Sequence, residues 1–164
     1  MVKYCGHYVT FQEVPNEISL TFTITNCVHQ CPGCHSSWLQ GDIGDELTIS
    51  DIKYYLKQYD GAITCICLMG TGNDPEALAK LLSDVKKLGY KVCLYAGEEF
   101  IDDIPAWKHL KMEDWPHYLK VGGYKEELGG LDKETTNQRF LKFDPQGFYI
   151  DITNVFWRRS YGNG

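Results

Sequence analysis

Three cysteines stand close together in this chain: Cys27, Cys31 and Cys34, within NCVHQCPGCH at residues 26–35. Thiolates clustered in one loop at C-x3-C-x2-C spacing are ligands for a soft or borderline metal. The residue types leave two occupants open. One is a structural zinc, with His35 completing a Cys3His set. Zinc modules usually draw two short ligand hooks from separate turns, and this chain has no second C-x2-C and no H-x3-H. His35 also follows Cys34 directly, so both face one metal only if the backbone bends sharply. The other occupant is a [4Fe–4S] cluster. Such clusters are typically held by four thiolates. Three would leave one iron with an open position, and an open position on a metal is where a substrate or cofactor binds.

A loop of this kind needs an element to carry it. Residues 17–25, EISLTFTIT, are β-branched and aromatic and predict a strand running straight into the cysteines. Beyond the loop, Ser50 is placed to cap a helix whose apolar stripe is Ile52, Tyr55, Leu56 and Tyr59, ended by Gly61. Residues 62–69, AITCICLM, form the continuous apolar run of a parallel strand covered on both faces. Gly70-Thr71-Gly72-Asn73 follows. Asp74 and Pro75 then suit the cap and first position of a second helix, with Leu78, Leu81, Leu82 and Val85 as its stripe and Gly89 as its stop. Residues 90–96 and 118–122 predict a third and a fourth strand. Residues 139–143 and 148–152 suggest a hairpin across Asp144-Pro145-Gln146-Gly147.

Strands alternating with helices predict an α/β fold with a parallel sheet. A closed eightfold barrel typically needs ~250 residues. The 164-residue chain is therefore expected to form one domain over residues 1–164, an incomplete, open barrel or a short open sheet. In either architecture ligands bind at the carboxyl ends of the strands. The cysteine loop follows one predicted strand and GTGN the next, so the two are expected to share a site.

Composition narrows the function classes. The net charge is -6, hydrophobic residues make up 43% and charged residues 23%, which is ordinary for a globular protein. No Lys/Arg run forms a basic stripe, which argues against nucleic acid as a partner. No apolar run reaches the ~18 residues of a membrane span, so no membrane partner is expected. The start, MVKYCGHYVTF, lacks the apolar core of a signal peptide, so the expected compartment is the cytoplasm. Seven cysteines in a reducing compartment point to metal or redox chemistry more than to a disulfide frame.

The cysteine spacing in a loop after a strand resembles the radical S-adenosylmethionine (SAM) superfamily. Three stretches are similar to a narrower family, the activating proteins of anaerobic (class III) ribonucleotide reductases: FQEVPNEISL before the loop, CVHQCPGCH within it, and GGYKEELGGLDKETTNQR at residues 122–139. The resemblance implies an incomplete, open parallel β/α barrel of about four to six strands. It also implies a [4Fe–4S] cluster on Cys27, Cys31 and Cys34, with SAM's methionine on the open iron. Gly33, Cys34 and His35 would line SAM, and Gly70, Thr71, Gly72 and Asn73 would hold its methionine end. No catalytic residue is implied beyond the cluster ligands. The implied reaction forms a glycyl radical on the large subunit of an anaerobic ribonucleotide reductase, with a flavodoxin- or ferredoxin-type protein as electron donor. Two positions depart from the family pattern. Gly33 stands where many superfamily members carry an aromatic residue. GTGN-Asp74 replaces the usual Gly-Gly-acidic motif that receives SAM's ammonium, a role backbone carbonyls can also fill.

The remaining candidates have plainer expectations. Cys65, Cys67 and Cys93 are expected as small buried hydrophobes, and Cys5 likewise unless its place near the N-terminus exposes it. His29 is expected to order its loop through a hydrogen bond, Arg139 to join an ion pair or to contact a partner, and Gly129-Gly130 to mark a turn. Glu98 and Glu99 are expected to form a solvated acidic turn. GTGN lacks the Lys-Ser/Thr that would make it a phosphate loop.

Overall fold

The computed structural model of the chain describes residues 1–29 and 37–160. Its centre is one eight-stranded sheet. In chain order the strands are β1 (Lys3–Thr10), β2 (Ser19–Ile24), β3 (Asp45–Glu46), β4 (Cys65–Met69), β5 (Lys91–Tyr95), β6 (Tyr118–Val121), β7 (Arg139–Phe143) and β8 (Tyr149–Asp151). Across the sheet they lie in the order β3-β1-β2-β4-β5-β6-β7-β8. Among the described residues there are three α-helices: α1 (Ile49–Gln58), α2 (Pro75–Lys86) and α3 (Asn154–Ser160).

This architecture overturns the expected open parallel β/α barrel of radical SAM type. Only β2, β4, β5 and β6 pair in parallel. They are flanked by antiparallel pairings on both sides, through β1 and β3 on one and β7 and β8 on the other. The sheet is therefore mixed, with eight strands and not four to six. The physical reason lies in the connections. A parallel pairing needs a crossover, usually helical, and α1 and α2 supply one each between β2 and β4 and between β4 and β5. The passage from β5 to β6 instead uses three short 3-10 turns at Ile101–Asp103, Pro105–His109 and Met112–Asp114. The turn at residues 144–147 reverses the chain directly, as its Asp-Pro-Gln-Gly sequence predicts.

Alternation along the strands divides the core into two. Leu20, Phe22, Ile24, Ile66, Leu68, Val92, Leu94 and Leu119 point to one face and pack under α1 and α2. Each such side chain, fully buried, contributes roughly 1.5–3 kcal/mol. Cys65, Cys67, Cys93, Tyr118 and Phe140 point to the other face. Among the described residues Val14, Leu131 and Phe156 of α3 close over it.

The helix ends follow their sequence. Asp74 accepts from the Ala77 amide at 3.1 Å, with Pro75 at the first turn of α2. For α1 the cap is Thr48 and not Ser50. Thr48 and Asp51 form a reciprocal capping box: Asp51 N–H donates to Thr48 Oγ1 at 3.2 Å, and Thr48 N–H to Asp51 Oδ2 at 2.9 Å. Two satisfied amides outweigh the single one a Ser50 cap would offer.

Candidate functional site

Strand register decides which loops meet. Thr23 pairs with Met69 in the β2–β4 ladder, and Met69 with Tyr95 in the β4–β5 ladder. Three parallel strands thus end together, and the segments after them gather at one edge: Asn26 to His29, Gly70 to Asn73, and Ala96 to Glu98. The chain leaves β2 through Asn26, whose φ of 61° lies in the left-handed region that Asn tolerates better than most residues. The loop's base is pinned by its return leg. Asn26 N–H donates to Gly41 O at 3.2 Å and Cys27 N–H to Leu39 O at 2.9 Å. Cys31, Gly33, Cys34 and His35 lie outside the described residues; Cys27 lies within them, at the start of the loop.

After β4 the backbone turns against the end of β2. Gly70 has φ of 126°, and a Cβ there would stand 3.2 Å from the Ile24 Cβ and 3.3 Å from its carbonyl oxygen. Only glycine fits this approach without strain. After β5, Gly97 meets the His29 ring so closely that a Cβ would lie 2.5 Å from its Cδ2. The neighbouring Glu98 reaches the same imidazole, with Oε2 2.9 Å from His29 Nε2. The turn is braced from β6: Gly122 N–H donates to Glu98 O at 2.6 Å, and the Lys120 ammonium donates to the carbonyls of Ala96 and Gly122.

These segments enclose a cleft. Thr71, Asn73 and Glu98 bring polar groups to its lining, and Val28, Leu78, Ile104 and Ala106 bring apolar ones. The Glu98 side chain is only 10% exposed. Its Oε1 is buried and has no hydrogen-bond partner among the described residues. Leaving a buried acceptor unpaired costs roughly 1–3 kcal/mol, so this oxygen would gain from a donor. The expected solvated acidic turn is therefore corrected at Glu98, which lines the cleft.

No family model, curated protein or solved structure matches this chain. What the site can do must be read from its own chemistry.

Of the residues expected to hold a ligand, the register brings Gly70 to Asn73 beside the loop that begins at Cys27. Among the described residues no group of three or more His, Cys, Asp or Glu is arranged to hold a metal ion. Cys65, Cys67 and Cys93 are fully buried on the far face of the sheet, where burial pushes the Cys65 and Cys93 thiols well above their ordinary value. Buried thiols of this kind are poor ligands and poor nucleophiles. Arg139 lies 3.8 Å from Asp151 across the β7–β8 pair. No helix among the described residues is long and apolar enough to cross a membrane.

The sequence singled out the cysteine loop and GTGN as the site; Glu98 was placed at a strand end near it but read as a solvated turn, and Gly97 had no part in it. The available signal was Glu98 at the carboxyl end of a parallel strand, which is where ligands bind.

Proposed function

We propose that this chain is a radical SAM activating enzyme that forms a glycyl radical on an anaerobic ribonucleotide reductase in the cytoplasm. The observation that carries the reading is the gathering of the Cys27 loop, Gly70 to Asn73 and Glu98 around one cleft. The reading rests on the site and not on a barrel, since function resides in sites that differing folds can carry.

The residues present suit such ligands. Cys27, with Cys31 and Cys34, would hold a [4Fe–4S] cluster. SAM carries a primary ammonium, and the unpartnered Glu98 Oε1 is a carboxylate acceptor suited to it. Thr71 and Asn73 add further acceptors, and the wall of Leu78 and Ile104 suits an apolar or aromatic part of the ligand. When bound, the cluster and SAM together supply the one-electron chemistry that removes a hydrogen atom from a glycine of the partner. The chain's own part is to fix the methionine end of SAM, to keep water from the cleft and to leave one side open to a loop of the reductase.

The test is anaerobic reconstitution followed by electron paramagnetic resonance. The wild-type chain is expected to take up about four irons per molecule, and Cys27→Ala, Cys31→Ala and Cys34→Ala each to lose them. With SAM, a reductant and the large reductase subunit from the same genome, a glycyl doublet is expected that disappears when any component is omitted. Stoichiometric zinc without iron uptake would overturn the reading in favour of a zinc-stabilised binding module. SAM cleavage without a radical on that subunit would assign the chain another substrate.

A further inference from the structure

We propose that His29, Glu98 and Gly97 form a latch that ties the cysteine loop to the cleft through one shared carboxylate. Its role as a coupling device rests on the reading above; its existence as a latch does not.

Three observations carry it. His29 lies in the loop between Cys27 and Cys31, and its Nε2 meets Glu98 Oε2 at 2.9 Å. The carboxylate belongs to a different element, the turn after β5, 69 residues further along the chain. A hydrogen bond to a charged group over that separation holds the loop to a rigid strand end, and such a bond is worth more than a neutral one. Next, Gly97 has no side chain to stand in the way. A Cβ there would lie 2.5, 2.9 and 3.0 Å from three atoms of the imidazole. Gly97 has no left-handed φ, so its backbone does not itself require glycine; the space for His29 does. Finally, Glu98 itself lines the cleft, and the second oxygen of its carboxylate is buried and without a partner among the described residues.

One side chain thus touches both the loop and the cleft. A ligand donor that engages Oε1 fixes the carboxylate that His29 needs, and an ordered His29 presents Oε1 to the ligand. Each event favours the other, and by linkage the two effects are equal in size. His29 and Glu98 act as positioning residues.

The pair Gly97→Ala and His29→Ala gives the test. Alanine at 97 keeps both polar groups and displaces only the imidazole; in a chain that already carries His29→Ala, the new methyl group has room. The first readout uses metal-free protein. Amide hydrogen exchange at Asn26 and Cys27, whose N–H groups bond to Gly41 and Leu39, is expected to quicken about tenfold in either single variant, as expected for losing one charge-assisted bond. The double variant is expected to match His29→Ala alone. His29→Gln, whose amide N–H can still donate to Glu98, is expected to restore much of the protection. The second readout uses reconstituted protein. The change that SAM produces in the electron paramagnetic resonance spectrum of the reduced cluster is expected to shrink in Gly97→Ala, with iron content unchanged. Unaltered exchange in both single variants would overturn the latch, whether or not the chain binds iron. Additive effects of the two substitutions would overturn it as well. Failure of iron uptake in the wild type would instead remove the proposed function and leave the exchange result to stand.

Discussion

The Lys91 ammonium donates to Oε2 of Glu17 at 2.8 Å, tying the start of β5 to the segment just ahead of β2. Glu17 is 6% exposed. It also accepts from Thr64 at 2.7 Å and Tyr118 at 3.0 Å, so one carboxylate clasps the amino-terminal ends of β2, β4, β5 and β6. The cleft lies at the other end of the same strands. Holding the strand starts in register holds the strand ends together as well.

Glu17→Gln is therefore expected to destabilise the fold by about 2 kcal/mol, the scale of hydrogen bonds to a charged group. Lys91→Met is expected to cost less, because the ammonium is half exposed and its pair is weakened by solvent. Urea unfolding at neutral pH measures both. Burial alone would raise the Glu17 carboxyl, but the Lys91, Thr64 and Tyr118 donors hold it below its ordinary value of 4.5. A depressed carboxyl stabilises the fold above its unfolded pKa and ceases to as pH falls through the folded value. Glu17→Gln is expected to flatten the acid limb below about pH 4.5; equal acid slopes in both proteins would refute the clasp.

His117 governs a different pH window. Its Nδ1 accepts the Val92 amide at 3.0 Å, which only a neutral ring can do. Burial, with Lys86 and Lys91 nearby, pushes its pKa down from 6.5 to about 4. Between these values the unfolded chain binds a proton that the folded chain does not, so stability falls as pH drops from 6.5 towards 4. His117→Gln, which cannot titrate, is expected to be less stable at neutral pH yet to show a shallower slope across that window. Urea midpoints at several pH values test the slope, and the imidazole shift in NMR tests the value directly.

Much of this was readable in advance where local chemistry decides. The segment from β4 through α2 to β5 follows its turn residues closely, because Asp74-Pro75 starts the helix and Gly89, with φ of 87°, lets the chain turn after it. The β7–β8 hairpin was visible from Asp144 to Gly147. β1 was not, because KYCGHYVT is half-buried along most of its length and shows neither an apolar run nor a clean alternation. Strand direction was hidden for a different reason. Whether β7 returns beside β6 or crosses over depends on how residues 122–138 wrap, and no short stretch encodes that. Glu98 shows the same limit at the site. A glutamate at a strand end is normally solvated, whereas this one meets His29, distant in sequence and seated in space that Gly97 leaves open.

The cysteines on the inner face give a further check. Cys65, Cys67 and Cys93 are fully buried, whereas Cys5 is exposed. The thiolate is the reactive form, and burial disfavours it. In native protein iodoacetamide is expected to leave Cys65 and Cys93 unmodified while labelling Cys5, and to reach the buried thiols only in guanidinium. Cys65→Ala and Cys67→Ala are expected to leave iron uptake unchanged, at a modest cost in stability from the cavity each creates. Loss of half or more of the iron in either variant would mean that these thiols hold metal after all.

Ligand affinity should rank the three side-chain acceptors at the cleft by burial. Asn73 is exposed and Thr71 partly buried, so water can replace what a ligand takes from them. Glu98 Oε1 is buried and already desolvated, so a donor gains most there. A charge-assisted hydrogen bond is worth roughly 1.5–3 kcal/mol, which is tenfold or more in affinity. Glu98→Gln, which keeps the shape and removes the charge, is expected to weaken SAM binding at least about tenfold. Thr71→Ala should cost a few-fold and Asn73→Ala less. Anaerobic titration of reconstituted proteins with SAM orders the three. If Asn73→Ala proves the most damaging, the ammonium sits against GTGN and Glu98 serves the loop alone. If none of the three changes affinity, backbone carbonyls receive the ligand and Glu98 Oε1 faces a different one.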